Sequence, residues 1–291
     1  MTEPKPEQRT VTIETTSGLR IVGDQWDGGD PSVAPVVLAH GGGQTRHAWG
    51  STARALAATG HRVLTIDLRG HGDSDWAADG DYAIDRFVDD AESVLDWIGR
   101  PVIWVGASLG GLTGLVLSVR RAVDMAALIL VDITPRPRTD GVERILAFMS
   151  GDVERGFASL EEAADAIAAY QPHRPRPVDL SGLAKNLRRG DDGRWRWHWD
   201  PAFLNVREDK VQSEIPDFNQ AEAAAADLTL PTLLVRGRLS DLVTEDEARE
   251  FLAMVPHAEY LDVAGAAHMV AGDRNDVFTE AVTRFVAKLD G

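Results

Sequence analysis

The sequence predicts an α/β fold built on a mostly parallel sheet. Three observations predict it: short apolar runs recur along the chain, helical periodicity fills the gaps between them, and the runs are continuous in Val, Ile and Leu rather than alternating. A strand covered on both faces by helices needs an apolar residue at every position, whereas a half-exposed strand needs one only at every second.

The runs are PVVLAH (35–40), RVLTID (62–67), VIWVGA (102–107), ALILVD (127–132), TLLVRG (232–237) and AEYLDV (258–263). Between the second and third lies AIDRFVDDAESVLDWIG, in which Ile84, Phe87, Val88, Ala91, Val94, Leu95 and Ile98 recur at three- and four-residue steps, one face of a helix. At the front, RTVTIETTSGLRIVGDQWDG alternates and contains the turn-forming pair Ser17-Gly18, which predicts an antiparallel hairpin on the sheet edge. The alternation of strands and helices stops between about residues 135 and 228. This stretch holds TPRPRTDG, QPHRPRPVD and RRGDDGRWRWHWDP, shows helical periodicity without strands, and offers Ser159 and Glu162 as a capping box. The expected organisation is therefore a core domain of residues 1–134 and 229–291 interrupted by a helical cap of residues 135–228.

Composition sets bounds on function. A chain of 291 residues with 44% hydrophobic content can bury one large core. No apolar run reaches the roughly 20 residues that a membrane helix needs. The start MTEPKPEQRT is polar and lacks the basic-then-apolar order of a secretory signal, so a loose tail and a cytoplasmic protein are expected. There is no cysteine to form a disulfide, a thiolate metal site or a nucleophile. A formal net charge of −16 argues against a nucleic-acid surface, because such a field repels phosphates.

The chemistry concentrates at Gly106-Ala107-Ser108-Leu109-Gly110, where the strand VIWVGA gives way to the helical LGGLTGLVLSVRRA. Small residues on both sides of Ser108 permit a tight strand-to-helix turn that presents the hydroxyl at the carboxyl end of the sheet, in front of the first helix amides. A hydroxyl is a poor nucleophile without a base, and the base needs a third group to fix its tautomer. His268, in the small-residue loop VAGAAHMVAGDR, supplies the base. Two aspartates lie at strand ends. Asp241 follows a glycine turn and the next strand leads to His268, so it is preferred as the acid; Asp132, at the end of LILVD, is the alternative. The loop His40-Gly41-Gly42-Gly43 follows a buried strand and can turn an amide inward, so the backbone N–H groups of Gly42 and Leu109 are expected to form the oxyanion hole. A phosphate-binding loop is the competing idea, and it fails for want of a Gly-Lys-Ser/Thr ending.

Taken together, HGGG, DLRGHGDSD (67–75), GASLGG, the Asp241 loop and GAAHM resemble, in order and spacing, the α/β-hydrolase superfamily in its small cytosolic branch with an inserted cap. The resemblance implies an eight-stranded, mostly parallel sheet and a hydrolase that uses neither cofactor nor metal. It also implies that Arg69, His71, Asp73 and Ser74 brace the site rather than react. Family members that open epoxides or remove halides carry aspartate at the elbow, which Ser108 contradicts. The serine members include carboxylesterases, lactonases, perhydrolases and carbon–carbon hydrolases. Ester cleavage through an acyl-enzyme is the reading adopted, with a small-molecule ester as partner; a homodimer is compatible with it, and a non-catalytic receptor is the alternative of a different class. His40, Gly41, Trp49, Trp197 and Met269 are the expected border of the substrate pocket. Trp195, Trp197 and Trp199 alternate, so in an extended segment they share a face, either as an aromatic wall or as a seal between cap and core. Arg188, Arg189, Arg194 and Arg196 are expected to form a solvated basic face.

Overall fold

The computed structural model describes residues 7–174, 176–204, 218–268 and 275–290. Its centre is an eight-stranded sheet of β1 (Gln8–Glu14), β2 (Arg20–Trp26), β3 (Val36–Ala39), β4 (Val63–Ile66), β5 (Val102–Ala107), β6 (Met125–Val131), β9 (Thr232–Gly237) and β10 (Glu259–Val263), in the order β1-β2-β4-β3-β5-β6-β9-β10. Only β2 runs against its neighbours; every other pairing in the sheet is parallel. The expected edge hairpin is β1-β2, turned at Gly18 with φ of 83°. Strands β3, β4 and β5, buried along nearly their whole length, lie at the centre, where both faces are covered.

Helices α1 (Gly50–Ala58) and α8 (Asn275–Leu289) cover one face through Trp49, Leu56, Phe278 and Val282. Helices α2 (Ile84–Ile98), α3 (Leu109–Arg120) and α7 (Glu245–Met254) cover the other. The heptad-like stripe of α2 is buried as its periodicity predicts, and a buried pair closes its inner side: Arg69 donates to both carboxylate oxygens of Asp90 at 2.6 and 2.8 Å.

Between β6 and β9 the described residues add no strand to the sheet. They form α4 (Thr139–Ser150), α5 (Leu160–Tyr170), the short hairpin β7 (Leu187–Arg189) and β8 (Trp195–Trp197), and then α6 (Phe218–Ala226). Three details correct the sequence reading. The hairpin was not expected; Gly190 and Gly193, the latter at φ of 78°, let the chain reverse over Asp191-Asp192, and alternation of Arg with Trp suits a two-faced ribbon. Helix α6, assigned to the cap, packs on α3 with Ala221, Ala224 and Ala225 in the main core, so the part standing off the sheet ends before it. The Ser159 cap forms only in part: its hydroxyl accepts from the N–H of Glu162, but the Glu162 carboxylate accepts from the N–H of Ala158, one residue earlier than a full capping box requires. Among the described residues no helix is long and apolar enough to cross a membrane.

Candidate active site

The parallel strands β5, β6 and β9 end side by side, and the site is built on their carboxyl ends. Ser108 follows β5 directly and has φ of 46° and ψ of −114°, a conformation that costs about 1–3 kcal/mol for a residue with a side chain. Surrounding contacts enforce it. A Cβ on Gly106 would sit 2.2 Å from the carbonyl oxygen of Gly110, and one on Gly110 would sit 2.5 Å from that of Ala39. The glycines therefore allow α3 to lie directly against β5 and β3, and the Trp104 indole N–H donates to the Gly110 carbonyl at 2.9 Å to hold it there.

The amides at the two loops are used with one exception each. In the elbow, the N–H of Ser108 donates to Val131, that of Gly110 to His40, and those of Gly111 and Leu112 to the Ser108 carbonyl. In the glycine loop, the N–H of Gly41 donates to the Gln44 side chain, that of Gly43 to Nε2 of His71, and that of Gln44 to the Gly41 carbonyl. Among the described residues, no acceptor meets the N–H of Leu109 or of Gly42. These are the two amides expected from sequence, and both residues line one cavity of about 1760 Å³ with Ser108 and His268.

His268 is held by Asp132. Its Nδ1 lies 2.8 Å from Oδ2 of Asp132, which also accepts from the Ser240 hydroxyl at 2.5 Å, while Oδ1 accepts from the N–H of Gly237 at 2.9 Å. Asp132 is fully buried, and burial pushes its carboxyl above the usual carboxylate range against the pull of these three donors. A buried carboxylate that accepts at Nδ1 fixes the imidazole with Nδ1 protonated, which leaves Nε2 as an acceptor facing the cavity. Asp132 has φ of 50°, the second positive φ among non-glycine residues described, so the chain turns sharply as it leaves β6.

The preferred acid is thus corrected. Asp241 does not meet His268 and pairs instead with Arg144 at 2.8 Å, the arginine exposed and the aspartate partly so. The loop after β9 turns Ser240 inward onto Asp132, and its chain neighbour Asp241 consequently faces away. Ser240 was missed by the sequence reading, which treated this loop only as the carrier of an acid.

His40 is a further correction. It does not line the cavity: it is fully buried, its Nδ1 donates to the Gly41 carbonyl at 2.8 Å and its Nε2 accepts from the N–H of Leu68 at 3.0 Å. Together with His71, whose Nδ1 donates to the Arg69 carbonyl at 2.9 Å, it pins the glycine loop from below. Burial lowers His40 to about 4 and His71 to about 3, so both remain neutral. Asp67 holds the same region, accepting from the N–H of Arg46 at 2.6 Å, from the Arg46 guanidinium and from the N–H of Asp73 at 3.0 Å. Ser74 donates to the Asp67 carbonyl at 2.7 Å and Asp73 accepts from Arg46 at 2.7 Å.

Of the other expected pocket residues, Gly41, Trp49 and Trp197 line the cavity, and Trp49 is also packed on Phe278. Met269 lies outside the described residues. Trp199 lines the cavity and Trp195 does not, so the alternating tryptophans divide between wall and packing. Arg188 stacks over Trp76, while Arg189, Arg194 and Arg196 bond within or beside the hairpin. Phe203, for which the sequence offered no signal, lies 3.5 Å from where a Gly42 Cβ would stand, held edge-on by His71, Tyr82 and Phe87. Among the described residues no group of three or more His, Asp or Glu is gathered to hold a metal ion.

The family profile of the alpha/beta hydrolase fold matches residues 34–274, and the chain belongs to that family. It is 31% identical over 287 residues to the esterase Rv0045c of Mycobacterium tuberculosis, covering 96% of this chain and 89% of the relative. A crystal structure of that esterase superposes with a TM-score of 0.78 at 28% identity, covering 99% and 94% of the two chains. The chain is 28% identical over 270 residues to the mouse sn-1-specific diacylglycerol lipase ABHD11, covering 89% and 83%.

Two predictions follow from this geometry. Asp132→Asn lowers kcat/KM on a reactive ester about 10⁴-fold, the loss typical when the tautomer-fixing acid is removed, while Asp241→Asn changes it less than about threefold; steady-state kinetics of the two variants check this. The buried histidines also limit acid stability. Their folded values of about 4 and 3 lie below the ordinary 6.5, so the unfolded chain binds the extra protons. The stability they allow is complete above pH 6.5 and is lost as pH falls toward those values, by up to about 1.4 kcal/mol per pH unit for each histidine. Urea unfolding between pH 4 and 7 should show a shallower acid slope in His71→Asn than in the wild type.

Proposed function

We propose that the protein is a serine hydrolase that cleaves carboxylic esters through an acyl-enzyme, with Ser108 as nucleophile, His268 as general base and acid, and Asp132 as the partner of His268. The observation that carries this reading is the His268 imidazole tied to a buried carboxylate in the same cavity as a serine held at a strained elbow. Relatives named as an esterase and as a lipase support the substrate class.

In this mechanism Nε2 of His268 removes the proton from the Ser108 hydroxyl, and the oxygen adds to the ester carbonyl. The oxyanion accepts from the N–H groups of Gly42 and Leu109, at the positive end of α3, where each donor is worth about 10²–10³ in rate. The tetrahedral adduct collapses, the C–O bond to the alcohol breaks, and His268 returns its proton to the departing oxygen. Water, deprotonated by His268, then attacks the acyl-enzyme and releases the acid. Asp132 stays ionised and stabilises the imidazolium in both halves. The strain at Ser108 is offset by the packing of α3 on the sheet rather than by the substrate.

Hydrolysis of p-nitrophenyl butyrate by the wild type, with a fall of about a thousandfold or more in Ser108→Ala, is the expected result. A wild type inactive on esters and unlabelled by a fluorophosphonate would refute acyl transfer at Ser108.

A further inference from the structure

The two cap helices turn apolar faces toward the cavity, with Val142 and Ile145 packed at the edge of the main core. On α4, Val142, Ile145, Leu146 and Met149 stand at steps of three and four and line the cavity, while Asp140, Glu143 and Arg144 on the opposite side are exposed to solvent. On α5, Ala164, Ile167 and Ala168 repeat the pattern, with Glu161, Asp165 and Ala169 outside. An amphipathic stripe of this kind normally packs on a core. Here Val142, Ile145, Leu146, Ile167 and Ala168 are only half-buried, and Leu112, Ile133 and Leu242 from the core domain line the same space. At about 1760 Å³ the cavity exceeds the upper end of ordinary small-molecule sites, about 1,000 Å³.

We propose that the natural substrate is an ester of an unbranched or lightly branched apolar acid of medium length, whose acyl chain lies between the sheet and the stripes of α4 and α5. The inference rests on the ester-hydrolase reading of Ser108. The acyl side is assigned because that group stays bonded to Ser108 until water attacks, so it has to fit inside the enclosure, whereas the alcohol leaves. Met149 ties the stripe to the reacting centre: its Cε lies 3.0 Å from where a Gly43 Cβ would stand, so the C-terminal end of α4 meets the glycine loop. From Met149 back to Val142 the stripe is about 10 Å long, the span of roughly eight extended methylenes. Each methylene that enters contributes up to about a threefold gain in kcat/KM.

The test is a series of p-nitrophenyl esters, acetate, butyrate, octanoate and decanoate, below their micelle concentrations, with the wild type, Ile145→Trp and Ile167→Trp, each also labelled at Ser108 with a fluorophosphonate. The expected wild-type kcat/KM rises at least about thirtyfold from acetate to octanoate. An indole placed on either wall fills the channel, so the octanoate-to-acetate ratio falls at least about tenfold in the variants. A flat or falling profile in a wild type that labels at Ser108 overturns the chain assignment and leaves the esterase reading standing. An unchanged ratio in both variants, with labelling intact, overturns it as well. A wild type that neither cleaves any ester nor labels overturns both.

Discussion

The hydrogen bond between Asp132 and His268 is the constraint on which the site depends. A carboxylate removed from water costs several kcal/mol unless its lone pairs are filled, and three separate segments fill those of Asp132: the amide at Gly237, the hydroxyl of Ser240 and the imidazole of His268. The ends of β6 and β9 and the loop after β10 are thereby brought to one point. The parallel sheet makes this affordable, since neighbouring strands end together and three loops need travel only a few residues to meet.

The glycine loop depends on a second buried network. The glycine loop has little side-chain packing of its own, so its shape is set from below by His40 and His71, each fixed in one tautomer by a carbonyl on Nδ1 and an amide on Nε2. Three of the four amides from Gly41 to Gln44 are engaged, and the remaining one, on the cavity-lining Gly42, meets no acceptor among the described residues. The Asp67–Arg46–Asp73 cluster locks the adjoining segment to the sheet. The segment between β6 and β9 joins the same frame: the N–H of Asp200 donates to the Gly70 carbonyl at 2.7 Å, and its carboxylate accepts from the Tyr82 hydroxyl at 2.6 Å.

Much of this was legible in the residues. Continuous Val, Ile and Leu runs located the strands because burial on both faces leaves no freedom for polar residues. The small residues around Ser108 marked the elbow because a tight strand-to-helix turn needs them, and a Cβ on Gly106 or Gly110 would collide with backbone; Gly42 and Leu109 were singled out by the freedom of the glycine loop and by the first amide of the helix. The acid was misassigned because Asp132 and Asp241 both follow strand ends, and only the path of the loop after β9 decides which of Ser240 and Asp241 turns inward. The available clue was local: Asp132 abuts an unbroken apolar strand, where a carboxylate is buried and has to be paired, whereas Asp241 lies four residues beyond its strand in the loop RLSDLVTED. His40 was misread for a related reason. Its place beside the oxyanion loop is correct, but the side on which its ring lies is set by the Leu68 amide, a contact distant in sequence. The hairpin of the cap escaped because two three-residue strands carry too little period to register.

The most direct measurement is the proton NMR spectrum of the histidine N–H groups at low temperature, recorded for the wild type, Asp132→Asn and Asp241→Asn. An Nδ1–H donated to a buried carboxylate resonates far downfield and exchanges slowly. The account predicts such a signal, assigned by its loss in His268→Ala, that persists unshifted in Asp241→Asn and disappears or moves strongly upfield in Asp132→Asn. A signal that survives in Asp132→Asn, or is lost in Asp241→Asn, would contradict the pairing from which the mechanism is built.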